Sequence, residues 1–113
     1  MADISLVIPC FNEEKSIGKL LTALSNDPFT NKCEIIIVDD GSSDDSTKIV
    51  ESYKCAKLVK HLRNQGYGQA IVTGMQNSTR ENVVWMDADG QHQPQPVPVH
   101  ISLSGRIAAA YLF

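Results

Sequence analysis

The sequence predicts a three-layer α/β/α fold around a largely parallel sheet, and three observations carry that expectation. Apolar or β-branched runs recur at residues 4–8, 34–38, 57–61 and 83–86. Apolar positions at helical spacing occupy the intervals between them. Every run ends in a polar cluster carrying Asp, Asn or Gly. Strand starts roughly 25 to 30 residues apart suit right-handed crossover units, in which a helix carries the chain back to the same end of the sheet.

The first run, ISLVI at 4–8, is bounded by Pro9 and reads as a strand. Ile17, Leu20, Leu21 and Leu24 then recur at helical spacing with Pro28 just beyond, which predicts an amphipathic helix. EIIIV at 34–38 is the second strand. A second helix is expected to start between Asp44 and Ser46, whose side chains can cap free N–H groups, and to turn Ile49, Val50 and Tyr53 inward. KLVKH at 57–61 is the third strand. A third helix over 68–76 faces the core with Ala70, Ile71 and Met75, and VVWM at 83–86 is the fourth strand.

At 113 residues the chain has the size of one domain with a modest core. Its formal charge of −3, from 10 basic and 13 acidic side chains, is not the electrostatic footprint of a nucleic-acid binder. Cys10, Cys33 and Cys55 show no CxxC spacing and are odd in number. That pattern fits reduced thiols in the cytosol, not a disulfide framework or a structural zinc site. MADISLVIPC carries an acid where a signal peptide carries basic residues, and its apolar stretch is too short to span a bilayer. A cytoplasmic location is expected, with membrane association open for a longer form of the protein.

All 13 acids lie between Asp3 and Asp89, so the last 24 residues contain none and, of Lys and Arg, only Arg106. Composition therefore divides the chain into residues 1–96 and an atypical tail, 97–113, expected to be a truncated or frame-shifted end.

In a parallel sheet, ligands bind beyond the carboxyl ends of the strands. Four polar clusters are expected on that rim: PCFNEE after the first strand, DDGSS after the second, NQGYG after the third and DADGQH after the fourth. A carboxylate in Asp39-Asp40-Gly41-Ser42 can accept the imino N–H of uracil or guanine, or a ribose hydroxyl; equally, the segment can be a tight loop with Asx turns and a helix cap. PCFNEE is not the GxGxxG of a dinucleotide fold. The lone GxG of residues 66–68 can let a ligand approach closely, or mark a turn and helix start.

Asp87 and Asp89 would share one face of a regular strand, with only Ala88 between them. Two carboxylates placed so can converge on Mg2+ or Mn2+, with Gln91 or His92 as a further ligand and phosphate oxygens completing the shell. The bland alternative is a cap for the next turn. A haloacid-dehalogenase DxDG would need further motifs downstream, where only 24 acid-free residues remain. A phosphorelay receiver would carry its acid pair after the first strand, not the second.

Together, VIPCFNEE, EIIIVDDGSSDDST, NQGYGQAIVTGM and VVWMDADGQHQP resemble the N-terminal half of a family-two glycosyltransferase, closest to the dolichyl- or polyprenyl-phosphate sugar transferases. The resemblance covers about residues 3 to 96 and implies a Rossmann-like GT-A fold, incomplete here. It implies nucleotide binding by Pro9, Phe11, Glu13, Asp39, Asp40, Gly68 and Asp87, and a metal, Mg2+ or Mn2+, on Asp87, Asp89 and Gln91. Phe11 stands where Tyr is commoner, which removes only a hydroxyl. The implied reaction is inverting transfer from a UDP- or GDP-linked sugar to a polyprenyl or dolichyl phosphate. The expected alternative is a non-catalytic fragment that retains nucleotide or metal binding, because an acidic amphipathic continuation after the fourth motif is missing.

Overall fold

The computed structural model describes residues 3–86, 98–103 and 106–111. Its elements run β1 (Ile4–Cys10), α1 (Ile17–Asn26), a 3-10 turn (Thr30–Lys32), β2 (Glu34–Asp39), α2 (Ser46–Glu51), β3 (Ala56–Lys60), α3 (Tyr67–Gln76), β4 (Asn82–Trp85), β5 (Pro98–Leu103) and β6 (Arg106–Tyr111). The six strands form one sheet in the order β3-β2-β1-β4-β6-β5. All neighbours are parallel except β5 and β6, which are antiparallel.

Alternation along the two central strands explains the three layers. Leu6 and Ile8 of β1 and Ile35 and Ile37 of β2 pack against Ile17, Leu21 and Leu24 of α1 and Val50 of α2. Val7, Ile36 and Val38 face the other way, with Val83 and Trp85 of β4, against Ala70, Ile71 and Met75 of α3. Because both faces are covered, β1 and β2 read as unbroken apolar runs and not as alternating ones. Each fully buried Ile or Val contributes about 1.5–3 kcal/mol of transfer free energy.

The expected helices and first four strands are present with ends shifted by a residue or two. Pro9 was expected to end β1, yet the strand continues to Cys10. The carbonyl of Val7 bonds to Met86 N–H on the β4 side, and the carbonyl of Cys10 bonds to Asp40 N–H on the β2 side. Pro9 shares the Val7 side, where the register with β4 ends at the Val7–Trp85 pair. A residue without an N–H is therefore tolerated there. No strand was expected after Met86, whereas β6 pairs in parallel with β4 and β5 closes the edge.

The order of strands also creates a switch point. The chain moves outward from β1 to β2 to β3 and then crosses back to place β4 on the far side of β1. Right-handed crossovers in opposite directions put α1 and α2 on one face and α3 on the other. In open α/β sheets such a switch point is where ligands bind, beyond the carboxyl ends of the strands.

One glycine sets how closely α3 approaches β1. A Cβ added at Gly74 would lie 2.2 Å from Val7 Cγ1, whose residue is fully buried. Gly74→Ala is expected to lower stability by about 1–3 kcal/mol through overpacking, read as a fall in the urea midpoint. A Cβ at Gly68, in the first turn of the same helix, meets nothing within 4 Å; Gly68→Ala is expected to leave that midpoint unchanged or raise it.

Candidate functional site

The loops after β1, β2 and β3 meet at one end of the sheet and are tied to one another. Asn12 adopts a positive φ of 52°, a conformation Asn tolerates better than most residues. Its N–H donates to Ser42 Oγ at 2.9 Å, and its Oδ1 accepts Ser43 N–H at 2.8 Å. Glu13 N–H donates to Ser46 Oγ (2.9 Å) and Glu14 N–H to Asp44 Oδ2 (3.2 Å). The first two polar clusters are thus one hydrogen-bonded unit.

Asp39 and Asp40 differ in direction. Asp39 serves its own loop, accepting Ser42 N–H on Oδ2 (2.9 Å) and the Ser42 hydroxyl on Oδ1 (2.5 Å). Asp44 accepts Ser46 N–H at 2.9 Å, at the start of α2. These are the Asx turns of the bland alternative, without its helix cap, since Asp45 at the N-cap of α2 makes no side-chain capping bond; they leave lone pairs on Asp39 for another donor. Asp40 is turned across to the third loop: Oδ1 takes His61 Nδ1 and Gln65 N–H, both at 2.8 Å, and Oδ2 takes Gly66 N–H at 2.9 Å. Its side chain is 6 % exposed and that of His61 7 %. Asp40, expected among the nucleotide-binding residues, directs its carboxylate at the protein's own loops and tethers them.

Burial pushes the Asp40 carboxyl up, but the hydrogen bonds from His61, Gln65 and Gly66 outweigh it and hold the group below its ordinary 3.8. Cys10, at the end of β1, is shifted the other way. Burial first, and the negative charge of Asp39 second, push its thiol up to about 12. A group so protonated is no nucleophile.

Of the remaining expected residues, Pro9 is buried within β1 opposite Val38. Phe11 is 45 % exposed at the rim. Glu13 is half-buried and accepts the Ser16 hydroxyl at 2.9 Å. Gly68 stands in the first turn of α3 with open space beside its Cα. Asp87, Asp89 and Gln91 lie outside the described residues. Among the described residues, no group of three or more His, Cys, Asp or Glu is arranged to hold a metal ion.

Two glycines let the second and third loops nest. Gly41 has φ +81°, and a Cβ there would lie 2.7 Å from the Asn64 backbone nitrogen; Gly66 has φ +97°. Asn12 and His61 had not been singled out from the sequence. The available signal was position: each is a hydrogen-bonding side chain at or just past a strand's carboxyl end. An apolar cavity of about 450 Å³ lies elsewhere, between α1 and the β1–β4 surface, lined by Leu6, Leu24, Cys33 and Val84 among others.

Comparison with known proteins gives this rim a context. The profile of Glycosyl transferase family 2 matches residues 5–107. An undecaprenyl-phosphate 4-deoxy-4-formamido-L-arabinose transferase of Aeromonas hydrophila subsp. hydrophila is 37 % identical over 102 residues, covering 84 % of this chain and 31 % of that protein. This chain thus spans about a third of the length of that curated relative. Among solved structures, S. aureus TarS 1-349 in complex with UDP-GlcNAc superposes with a TM-score of 0.71 at 31 % identity, covering 76 % of this chain and 26 % of that one. The mannosyltransferase PcManGT from Pyrobaculum calidifontis, in complex with GDP-Man and Mn2+, gives 0.70 at 26 % identity, covering 77 % and 27 %.

Two measurements test this geometry. The unfolded chain takes up the Asp40 proton before the folded chain does, so the stability from this group is fully present above pH 3.8 and drains below it, as pH falls through the lower value the carboxyl has in the folded chain. Asp40→Asn is therefore expected to lower stability by about 2 kcal/mol near neutral pH, and the gap to the parent should close on acidification in urea melts. Alkylation of the folded chain should label exposed Cys55 quickly and reach buried Cys10 and Cys33 only after unfolding.

Proposed function

The chain belongs to glycosyl transferase family 2, and from that premise we propose that its rim binds a nucleoside-diphosphate sugar for metal-assisted, inverting transfer to a polyprenyl phosphate. The observation that carries this most directly is the convergence of the first three loops at the sheet's switch point, with β4 arriving beside β1. Met86 N–H bonds to the Val7 carbonyl at 3.1 Å, and the next residue in sequence is Asp87. The pairing of TarS with UDP-GlcNAc and of PcManGT with GDP-Man and Mn2+ supports the ligand class. The undecaprenyl-phosphate relative supports the acceptor class.

Each residue has a task in this proposal. Phe11 offers an exposed ring against which a planar base can lie. Pro9 shapes the end of β1 beside that ring, and Glu13 and the remaining lone pairs of Asp39 accept base N–H or ribose hydroxyl groups. Gly68 lets backbone come close to the ligand. Asp87, Asp89 and Gln91 supply hard oxygen donors, a set that suits Mg2+ or Mn2+; the ion, when bound, offsets the charge that grows on the departing diphosphate. A lipid phosphate is already anionic, so no side chain of this chain need remove its proton. Residues 1–96 supply all of these groups. Among the described residues, no helix is long and apolar enough to cross a membrane, and the lipid acceptor would be met at a membrane surface.

Calorimetric titration with UDP and GDP, with and without Mn2+, is expected to show metal-dependent binding that Asp89→Ala abolishes. Binding indifferent to metal, or unchanged affinity in Asp89→Ala, overturns the site. A second reading is binding without transfer. Turnover on undecaprenyl or dolichyl phosphate separates the two.

A further inference from the structure

We propose that His61 is a positioning residue: through the buried carboxylate of Asp40 it holds the amides of Gln65 and Gly66, and so presets the third rim loop before any ligand arrives. The consequence for ligand affinity rests on the nucleotide reading above; the clamp itself does not.

The geometry is a continuous chain of partners. His61 N–H donates to the Asp39 carbonyl at 2.8 Å, prolonging the β2–β3 ladder by one residue and fixing where the ring can reach. The ring then bridges two elements, with Nδ1 2.8 Å from Asp40 Oδ1 and Nε2 2.8 Å from Thr73 Oγ1 in α3. A carboxylate only accepts, so Nδ1 carries the proton donated to Asp40. Nε2 bonds to the Thr73 hydroxyl, whose oxygen also accepts Gln69 Nε2 at 3.4 Å. Asp40 gathers three donors, from His61, Gln65 and Gly66.

Gly66 is the residue that needs holding. Its φ of +97° and the open space around it leave the backbone little steric guidance, and glycine has more conformational freedom to lose than any other residue. Asp40 fixes its N–H, while its carbonyl accepts Ala70 N–H at 3.1 Å. Gly68 follows two residues on. Without the clamp, a ligand that contacts this loop must order it on binding, and affinity falls accordingly.

Two variants divide the ring's functions. His61→Asn keeps an N–H near the Nδ1 position, toward Asp40; His61→Gln keeps one near Nε2, toward Thr73. Hydrogen exchange of the Gln65 and Gly66 amides in the ligand-free full chain reads the clamp directly, and titration with UDP and GDP plus Mn2+ reads its consequence. In His61→Gln, both amides should lose protection and nucleotide affinity should fall about tenfold, as expected for reordering a short loop. His61→Asn should stay near the parent in both. A merely structural histidine would instead lower Tm in both variants without separating them in affinity. Equal amide protection in the two variants overturns the proposal, as does parental affinity in a His61→Gln protein whose amides have opened. If the parent binds no nucleotide while the variants still differ in protection, the clamp stands and the nucleotide reading falls. Should His61→Gln fail to fold, Asp40→Asn, which sets an amide NH2 against one of the three donors, is expected to expose at least one of the same amides.

Discussion

Two adjacent carboxylates withdrawn from water at the end of β2 would repel and be poorly solvated unless each received donors, and the supply of those donors organises the rim. Asp39 is satisfied within its own loop by Ser42. Asp40 is satisfied from outside it, by the ring of His61 and two amides of the third loop. The second and third loops are thereby joined through a buried group. Removing it would leave a histidine and two backbone N–H groups to find other partners.

That junction has the position it does because of the sheet. β2 lies between β3 and β1, so the carboxyl end of β2 is within reach of both neighbouring loops. The first loop is tied to the second through Asn12, Glu13 and Glu14, and the third through Asp40. Gly41 allows the contact, since its missing Cβ is where the Arg63–Asn64 backbone passes. The same core that buries Ile35, Ile36 and Ile37 on both faces of β2 thus sets the rim's geometry. Packing holds the strand ends, and polar groups at those ends hold the loops.

The acids also divide by availability. Asp40 has three donors, and Asp44 is engaged at the start of α2 and by Glu14. Asp39 has donors only from Ser42 and so retains accepting capacity, although it is only 3 % exposed. Cys10 lies on the same rim as an inert thiol, kept protonated by burial and by the Asp39 charge. The described part of this rim thus presents the exposed ring of Phe11 and, among its described thiols, no nucleophile.

The sequence by itself determined the elements and the end of the sheet that matters. Short β-branched runs such as EIIIV, bounded by turn residues, read as strands, and polar clusters at their ends mark the rim. It also carried the family, through four ordered motifs that the profile match to residues 5–107 upholds. Three things were settled only by tertiary structure. Pro9 remains in β1 because the register with β4 ends at Val7, which no local pattern reveals. β5 and β6 join the edge because β4 offers a free ladder, a property of strand order and not of the tail's composition. Asp40 turns inward to His61, 21 residues away in sequence, because β2 and β3 are neighbours. Propensity and periodicity report on a residue's own segment; which buried polar groups answer one another depends on which strands lie side by side.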